Sequence, residues 1–172
     1  VVKMPDGEGR SARFQRDALG RFVGTADKAG AVSQTVSDAN GNPALSRDRS
    51  GGVSRFAFDA SNRPASESDP LGHTTSFGRD ASGNVTRLQN PLGDAMGFSY
   101  DASGLPTSLS DFIGATWGVA WDASGLPQTV TEPTGAQTGF SHDAAGRLTQ
   151  VQRPAPGGTT RLTYDDAGHV LT

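Results

Sequence analysis

Apolar and polar residues alternate over short segments that each lead into a recurring aspartate. The third residue before each aspartate is Phe14, Thr35, Phe56, Phe77, Phe98, Val119, Phe140 or Leu162. The residue directly before it is Phe58, Tyr100, Trp121, His142 or Tyr164 in the better-preserved segments. Residues two apart share one face of a β-strand. The pattern therefore predicts strands that align these two positions, called here the aromatic stripe, on one face.

The aspartates recur with a constant period. The leading aspartates are Asp17, Asp38, Asp59, Asp80, Asp101, Asp122, Asp143 and Asp165, spaced 21 residues apart six times and then 22. A glycine follows thirteen residues after most of them, at Gly30, Gly51, Gly72, Gly93, Gly114 and Gly135, with Gly157 one position late. The same frame projects back to Gly9. Such a period indicates a tandem repeat with two turns in each unit.

Both turns follow from local chemistry. In Asp101-Ala102-Ser103-Gly104, the aspartate can accept a hydrogen bond from the backbone N–H two residues on, and the glycine supplies positive φ. Asp69-Pro70-Leu71-Gly72 and Asn90-Pro91-Leu92-Gly93 repeat this logic with proline at the second turn position. The six to eight residues between turns match a strand and are too few for a typical helix.

We therefore expect an all-β chain of about sixteen short antiparallel strands, arranged as about eight tandem β-hairpin repeats over residues 1–172. Sixteen strands would span roughly 75 Å, and an open sheet of that width curls, splits or finds a partner. Both ends fit the inside of a repeat and neither resembles a capping unit, so we expect a fragment of a longer array. The weakest repeats are 38–58 and 59–79, where Asn62 replaces the turn glycine. Prolines recur just after the first turn, at Pro43, Pro64, Pro106 and Pro127, where they must begin a strand or occupy a bulge.

Composition changes this picture little. Apolar residues make up 34% of the chain and it contains 23 glycines, which suits a sheet with one dry face. The net charge is -3 and no basic run is present, so we expect no nucleic-acid partner. No apolar run approaches the length of a membrane span, and we expect no membrane insertion by this segment. Cysteine is absent, which excludes disulfides and thiolate chemistry.

The repeat resembles the RHS (rearrangement hotspot) or YD repeat over nearly the whole chain. Tyr100-Asp101-Ala102-Ser103-Gly104 and His142-Asp143-Ala144-Ala145-Gly146-Arg147-Leu148-Thr149 are similar to the pattern Tyr-Asp-x-x-Gly-Arg-Leu-Thr. Asp69-Pro70-Leu71-Gly72 is similar to the Asp-Pro-x-Gly that follows it. The tyrosine position departs from the pattern at Arg16, Ser37, Arg79 and Trp121.

The resemblance implies a container. RHS repeats wind a curved antiparallel sheet into a large hollow barrel or shell that encloses another polypeptide, which in bacterial members is the protein's own toxic C-terminal domain. Such members include polymorphic toxins, type VI secretion effectors and shells of insecticidal toxin complexes. The expected partners are then the enclosed toxin, the rest of the shell and secretion-apparatus proteins, with delivery through a bacterial secretion system. The alternative is a cell-surface adhesion or carbohydrate-binding array of YD repeats.

Candidate chemistry is weak at every position. One carboxylate per turn favours turn capping over a calcium site, and His73, His142 and His169 occupy separate repeat positions rather than a zinc or triad cluster. Related shells cleave themselves near an Asp-Pro-x-Gly motif, but Asp69-Pro70 occupies an ordinary second turn. Trp117 and Trp121 share a strand face and could stack on sugars, although they also continue the aromatic stripe. We expect no enzyme, and no catalytic, cofactor-binding or metal residues.

Overall fold

The computed structural model describes residues 2–5, 11–27 and 31–171. Within these ranges the chain contains sixteen strands and no helix, so the predicted all-β fold of tandem hairpins is confirmed. The strands are β1 (Val2–Pro5), β2 (Ser11–Arg16), β3 (Phe22–Ala26), β4 (Val32–Ser37), β5 (Pro43–Arg47), β6 (Val53–Phe58), β7 (Pro64–Ser68), β8 (Thr74–Arg79), β9 (Val85–Gln89), β10 (Ala95–Tyr100), β11 (Pro106–Ser110), β12 (Thr116–Trp121), β13 (Pro127–Thr131), β14 (Gln137–His142), β15 (Leu148–Gln152) and β16 (Thr159–Arg161).

The chain divides into two compact units, each built from the same antiparallel hairpins. The first unit contains Val1–Phe77 and Gln89–Gly93, and the second contains Gly78–Leu88 and Asp94–Thr172. In the first unit β1 to β8 pair in chain order, and in the second β10 to β16 do the same. The single array over 1–172 stays a prediction.

The first turn of each repeat has the predicted geometry. At Asp101 the backbone N–H donates to the Leu105 carbonyl at 2.9 Å, and the Gly104 N–H donates to the Asp101 carbonyl at 3.0 Å. Gly104 has φ of 81°, where a side chain would strain the backbone. The register of β10 against β11 shifts by one residue between Ser99 and Tyr100, which is the expected bulge.

Prolines begin four of the strands that leave a first turn. Pro43, Pro64, Pro106 and Pro127 are the first residues of β5, β7, β11 and β13, and each pairs across a register shift. The bulge leaves a backbone position that does not donate to the sheet, so proline's missing N–H is tolerated there. Both parts of the prediction, first residue and bulge, are confirmed.

Gly157 was expected to take the role of the second-turn glycine, but the positive φ of 69° lies at Gly158. The insertion makes this turn one residue longer: the Arg153 N–H donates to Gly158 O, whereas the Asp48 N–H donates to Gly52 O. Gly157 keeps only the hydrogen bond to Pro154 O, at 2.7 Å. Gly9 and Gly30 lie outside the described residues.

The aromatic stripe lies on one face, as expected, but it is not covered. In β10 the side chains of Phe98 and Tyr100 are half-buried, and Ser99 between them is exposed. Phe98 lies directly opposite Leu109, and the next repeats repeat that apolar pair with Val119 opposite Val130 and Phe140 opposite Val151. Among the residues whose burial is described, no hydrophobic side chain is buried. Cross-strand pairs within one layer thus provide the packing.

The repeat hairpins around Asp38 and Asp59 lack these apolar pairs. Phe56 lies opposite Glu67, and Thr35 lies opposite Ser46. A polar partner offers the phenyl ring less apolar surface to contact, so the hairpin gains less from cross-strand packing. These repeats therefore depend more on their turns than the later ones do.

Candidate functional site

The leading aspartates organise the turns with one carboxylate oxygen. Oδ1 of Asp143 accepts hydrogen bonds from the backbone N–H of Ala145 at 2.9 Å and of Arg147 at 3.0 Å. Oδ1 of Asp101 accepts in the same way from Ser103 and Leu105, at 2.8 and 2.9 Å. The bond to the second residue was predicted from the sequence, and the bond to the fourth was missed. Together they close the turn from both sides.

The other carboxylate oxygen pairs with the side chain of the fourth residue. Oδ2 of Asp143 accepts from Arg147 Nε at 2.7 Å, and Oδ2 of Asp38 accepts from Asn42 Nδ2 at 3.0 Å. Arginine, asparagine and histidine share this role at Arg21, Asn42, Arg63, His73, Asn84, Arg147 and His169. The sequence shows a polar residue at this position in these turns, with Leu105 and Leu126 as exceptions, but only the geometry identifies the partner of the polar side chains.

These hydrogen bonds lower the pKa of several of the carboxyl groups, among them Asp143 and Asp17. For Asp143, the backbone N–H of Arg147 and then its guanidinium hold the pKa below the ordinary value of 3.8. For Asp17, the side chain of Arg21 has the largest effect in the same direction. The aspartates thus act as charged turn caps. Within the described ranges, no group of three or more His, Asp or Glu side chains is placed to hold a metal ion.

The three histidines lie apart in two different roles. His73 and His169 contact their turn aspartates through Nδ1, at 2.8 Å from Asp69 Oδ2 and 2.9 Å from Asp165 Oδ2. His142 occupies the aromatic stripe, beside a groove of about 380 Å³ lined partly by Asp122 and Asp143. The structure does not bring the three rings together.

The polar tips of the aromatic stripe tie neighbouring repeats together. Tyr100 Oη donates to the carbonyl of Val85 at 3.0 Å, and Tyr164 Oη donates to the carbonyl of Leu148 at 2.6 Å. Trp121 Nε1 donates to the carbonyl of Pro106 at 2.7 Å. Each acceptor is the fifth residue after the preceding leading aspartate. An aromatic residue with a donor at its tip therefore fits this position better than phenylalanine alone.

Arg147 contacts both the aspartate of its own turn and the stripe tyrosine of the next repeat. Its Nε bonds Asp143, and its guanidinium carbon lies 4.6 Å from the centroid of the Tyr164 ring in the next repeat. This is a cation–π distance. Asp143, Arg147 and Tyr164 thus form one chain of contacts between neighbouring repeats.

The Asp69-Pro70 segment is an ordinary second turn. Oδ1 of Asp69 accepts from the N–H of Leu71 and of His73, both at 2.9 Å. The Gly72 N–H donates to the Asp69 carbonyl at 3.0 Å. Its carboxylate is engaged in the same contacts as the other turn aspartates. The geometry agrees with the turn prediction.

The tryptophans lie in the aromatic stripe. Trp117 and Trp121 are both half-buried on the same face of β12, with Val119 between them. Trp117 lies opposite Leu109, and Trp121 donates its indole N–H to the carbonyl of Pro106. Sugar stacking on these rings stays an alternative without a supporting contact.

Three asparagines form a clamp between neighbouring turns that the sequence did not reveal. Oδ1 of Asn62 accepts from Asn40 Nδ2 at 3.0 Å and from Asn42 Nδ2 at 2.9 Å. Asn62 has φ of 59°, so the predicted left-handed conformation is confirmed. Asparagine at this position strains the backbone more than glycine would, but it adds two side-chain hydrogen bonds to the preceding repeat. This asparagine clamp explains the departure from the repeat pattern at Asn62.

Charged and capped turns alternating with a one-sided aromatic face define a tandem β-hairpin repeat protein. The family model described as RHS Repeat matches residues 58–95 and 121–157. The predicted resemblance to the RHS repeat is thus confirmed over these two stretches. No curated protein sequence matches the chain.

Solved structures of TcdB2-TccC3 have a similar fold. The crystal structure of TcdB2-TccC3 matches 99% of this chain at a TM-score of 0.68 and 16% identity. TcdB2-TccC3-Cdc42 matches 99% at 0.55 and 15% identity, and TcdB2-TccC3 without its hypervariable C-terminal region matches 98% at 0.52 and 17% identity. The chain spans only 11% to 12% of those chains. Across the described ranges it contains no helix long and apolar enough to cross a membrane.

Proposed function

We propose that this chain is a wall segment of an RHS-repeat container, which encloses a toxic C-terminal polypeptide and delivers it out of a bacterial cell. The role of the segment is structural, and the chemistry belongs to the enclosed polypeptide. Its partners are the remainder of the shell and the cargo, together with the secretion apparatus that exports them.

The observation that carries the proposal is the uncovered aromatic stripe. Phe98, Tyr100, Val119 and Trp121 lie on one face and stay half-buried. A sheet with an apolar face needs a second layer to remove that face from water. Within each unit, described strands contact only their chain neighbours, so the second layer must come from outside the unit. A facing wall of a container or an enclosed chain would supply it.

The RHS-repeat match and the similar solved structures support a role in a shell of this kind. Two stretches match the RHS repeat, and the fold is that of chains in TcdB2-TccC3, which was also crystallised without its hypervariable C-terminal region. Those chains are much longer than this segment. A container built from many repeats, with a variable terminal segment as cargo, accounts for both facts.

Protease protection in the full-length protein that carries this segment tests the proposal. A non-repeat segment of that protein should survive added protease when the shell is intact and be digested rapidly when expressed alone. The matched variant is Gly104→Val, because Gly104 has φ of 81° and open space around it, so the change strains the wall locally. We expect that variant to lose part of the protection. Digestion of the intact protein's non-repeat segment at the rate of the free segment would overturn the proposal.

A further inference from the structure

The turn Asp38–Gly41 holds the only Asn-Gly pair of the sequence, Asn40-Gly41. Both residues are exposed, so water reaches the side chain and the peptide bond between them. Glycine has no Cβ to hinder attack by its own backbone nitrogen on the preceding side chain. An asparagine followed by glycine is therefore the arrangement in which succinimide formation is least hindered.

Neighbouring repeats contact this pair from both sides. Arg21, from the preceding repeat, places Nη1 3.2 Å from the point that a Cβ on Gly41 would occupy, and its Nε is anchored on Asp17 Oδ2 at 2.6 Å. Asn62, from the following repeat, accepts the Nδ2–H of Asn40 at 3.0 Å. The first contact places a positive charge beside Cα of Gly41, the residue whose nitrogen attacks, and the second restrains the group that must leave.

We propose that Asn40 is a site of spontaneous deamidation through a succinimide, promoted by Arg21 and restrained by the asparagine clamp. The Gly41 backbone nitrogen attacks Cγ of Asn40 and loses its proton. A bond from that nitrogen to Cγ forms, the Cγ–Nδ2 bond breaks, and Nδ2 leaves with the proton as ammonia. Water then opens the ring at either carbonyl and leaves an aspartyl or isoaspartyl residue at position 40.

The two neighbours act in opposite directions for electrostatic and geometric reasons. The Arg21 guanidinium stabilises the negative charge that develops on the nitrogen and on the carbonyl oxygen of the tetrahedral intermediate. The clamp and the hydrogen bond from Gly41 N–H to the Asp38 carbonyl, at 3.1 Å, hold both reacting groups in their turn positions. Attack requires these bonds to open, so a stronger clamp means slower modification.

Modification would change the contact between the repeats. A carboxylate at position 40 cannot donate to Oδ1 of Asn62, and it lies near the carboxylate of Asp38, which already accepts from the backbone N–H of Asn40 at 2.9 Å. An isoaspartyl link also lengthens the backbone of a turn closed by the Asp38 N–H to Asn42 carbonyl bond at 2.8 Å. Asn40 is thus an ageing site located at a contact between two repeats.

The test is incubation of the purified protein in mildly alkaline buffer, followed by peptide mapping with mass spectrometry and isoaspartate detection. Asn84, followed by Val85, is the internal reference because a β-branched neighbour hinders the same attack. We expect modification at Asn40 and none at Asn84. Modification of Asn40 no faster than of Asn84 would overturn the proposal.

Two variants test the neighbours separately. Asn62→Gly removes the clamp but keeps the left-handed turn, and one lost hydrogen bond should accelerate modification about threefold. Arg21→Leu introduces the residue type that the chain has at Leu105 and Leu126, and loss of the charge should slow modification about threefold. Asn62→Asp, which keeps an acceptor, serves as the control and should not accelerate it. If Asn40 is modified at the same rate in Asn62→Gly as in the parent, the restraint by the clamp is refuted. If the rate is the same in Arg21→Leu as in the parent, the promotion by Arg21 is refuted.

Discussion

The hydrogen bond from Tyr100 to the preceding repeat gives a clean test of how repeats are joined. Tyr100 Oη donates to the Val85 carbonyl at 3.0 Å, in partly buried surroundings. Phe58 occupies the equivalent position before Asp59, so a phenylalanine ring fits there without rearrangement. Tyr100→Phe therefore removes one hydroxyl and leaves the ring packing intact.

The expected loss of stability follows from the surroundings of Tyr100 Oη and the Val85 carbonyl oxygen. A typical intramolecular hydrogen bond contributes about 0.5–1.5 kcal/mol net, and an acceptor left without a partner costs more when water cannot reach it. Val85 is half-buried, so water can replace the hydroxyl in part. We expect a loss of about 1 kcal/mol, which is about a fivefold rise in the population of the locally opened state.

Amide hydrogen exchange is the suitable assay because contacts in each unit join only strands adjacent in the chain. Exchange should accelerate about fivefold in β9 and β10, with little change in β14 and β15. The reciprocal variant Phe58→Tyr should slow exchange in β5 and β6, since its hydroxyl can donate to the Pro43 carbonyl. Unchanged exchange in β9 and β10, or equal acceleration across the whole chain, would refute the reasoning.

Three further predictions concern turns and packing. Acidification should lower the melting temperature only as the pH falls from about 3.8 through the lowered pKa of groups such as Asp143, because an aspartate with a depressed folded-state pKa stabilises the fold above that range; a melting temperature that stays constant down to about pH 2 would contradict this. Phe98→Ala should cost about 2 kcal/mol in denaturant titration, less than a fully buried phenylalanine, because its ring is only half-buried; a cost of about 4 kcal/mol would mean that the stripe is covered. Gly104→Val should cost about 2 kcal/mol by the same titration, and since a Cβ there meets nothing within 4 Å, the cost measures backbone strain alone; Ser103→Ala is the control and should change little.

Most of the fold was predictable because each repeat encodes it locally. The turn at Asp101 needs an acceptor at its first residue and positive φ at Gly104, and few residue types meet those demands. Pro106 then marks the bulge, since it cannot donate to the sheet. Such rules act within a few residues, so a sequence states them directly. The 21-residue period repeats the same local signals in successive units.

Contacts between repeats were less predictable because they depend on which side chains meet in space. Arg147 looks like any exposed arginine until the structure places it between Asp143 and the Tyr164 ring. Asn62 looks like a degraded glycine position until its amide is seen to accept from Asn40. The sequence also did not predict that positive φ moves to Gly158, because a loop can accommodate an inserted residue at more than one position. Half-burial of the stripe follows from the missing second layer, which no residue pattern within one repeat can report.

Within each unit the described strands contact only strands adjacent in the chain, which limits how such a protein can change size. Removing or adding one complete period returns every remaining residue to the same neighbours and the same side of the sheet. Removing half a period would instead reverse the direction of every later strand and exchange the two kinds of turn between opposite edges. The number of strands can therefore change without altering these neighbours only in whole steps of two.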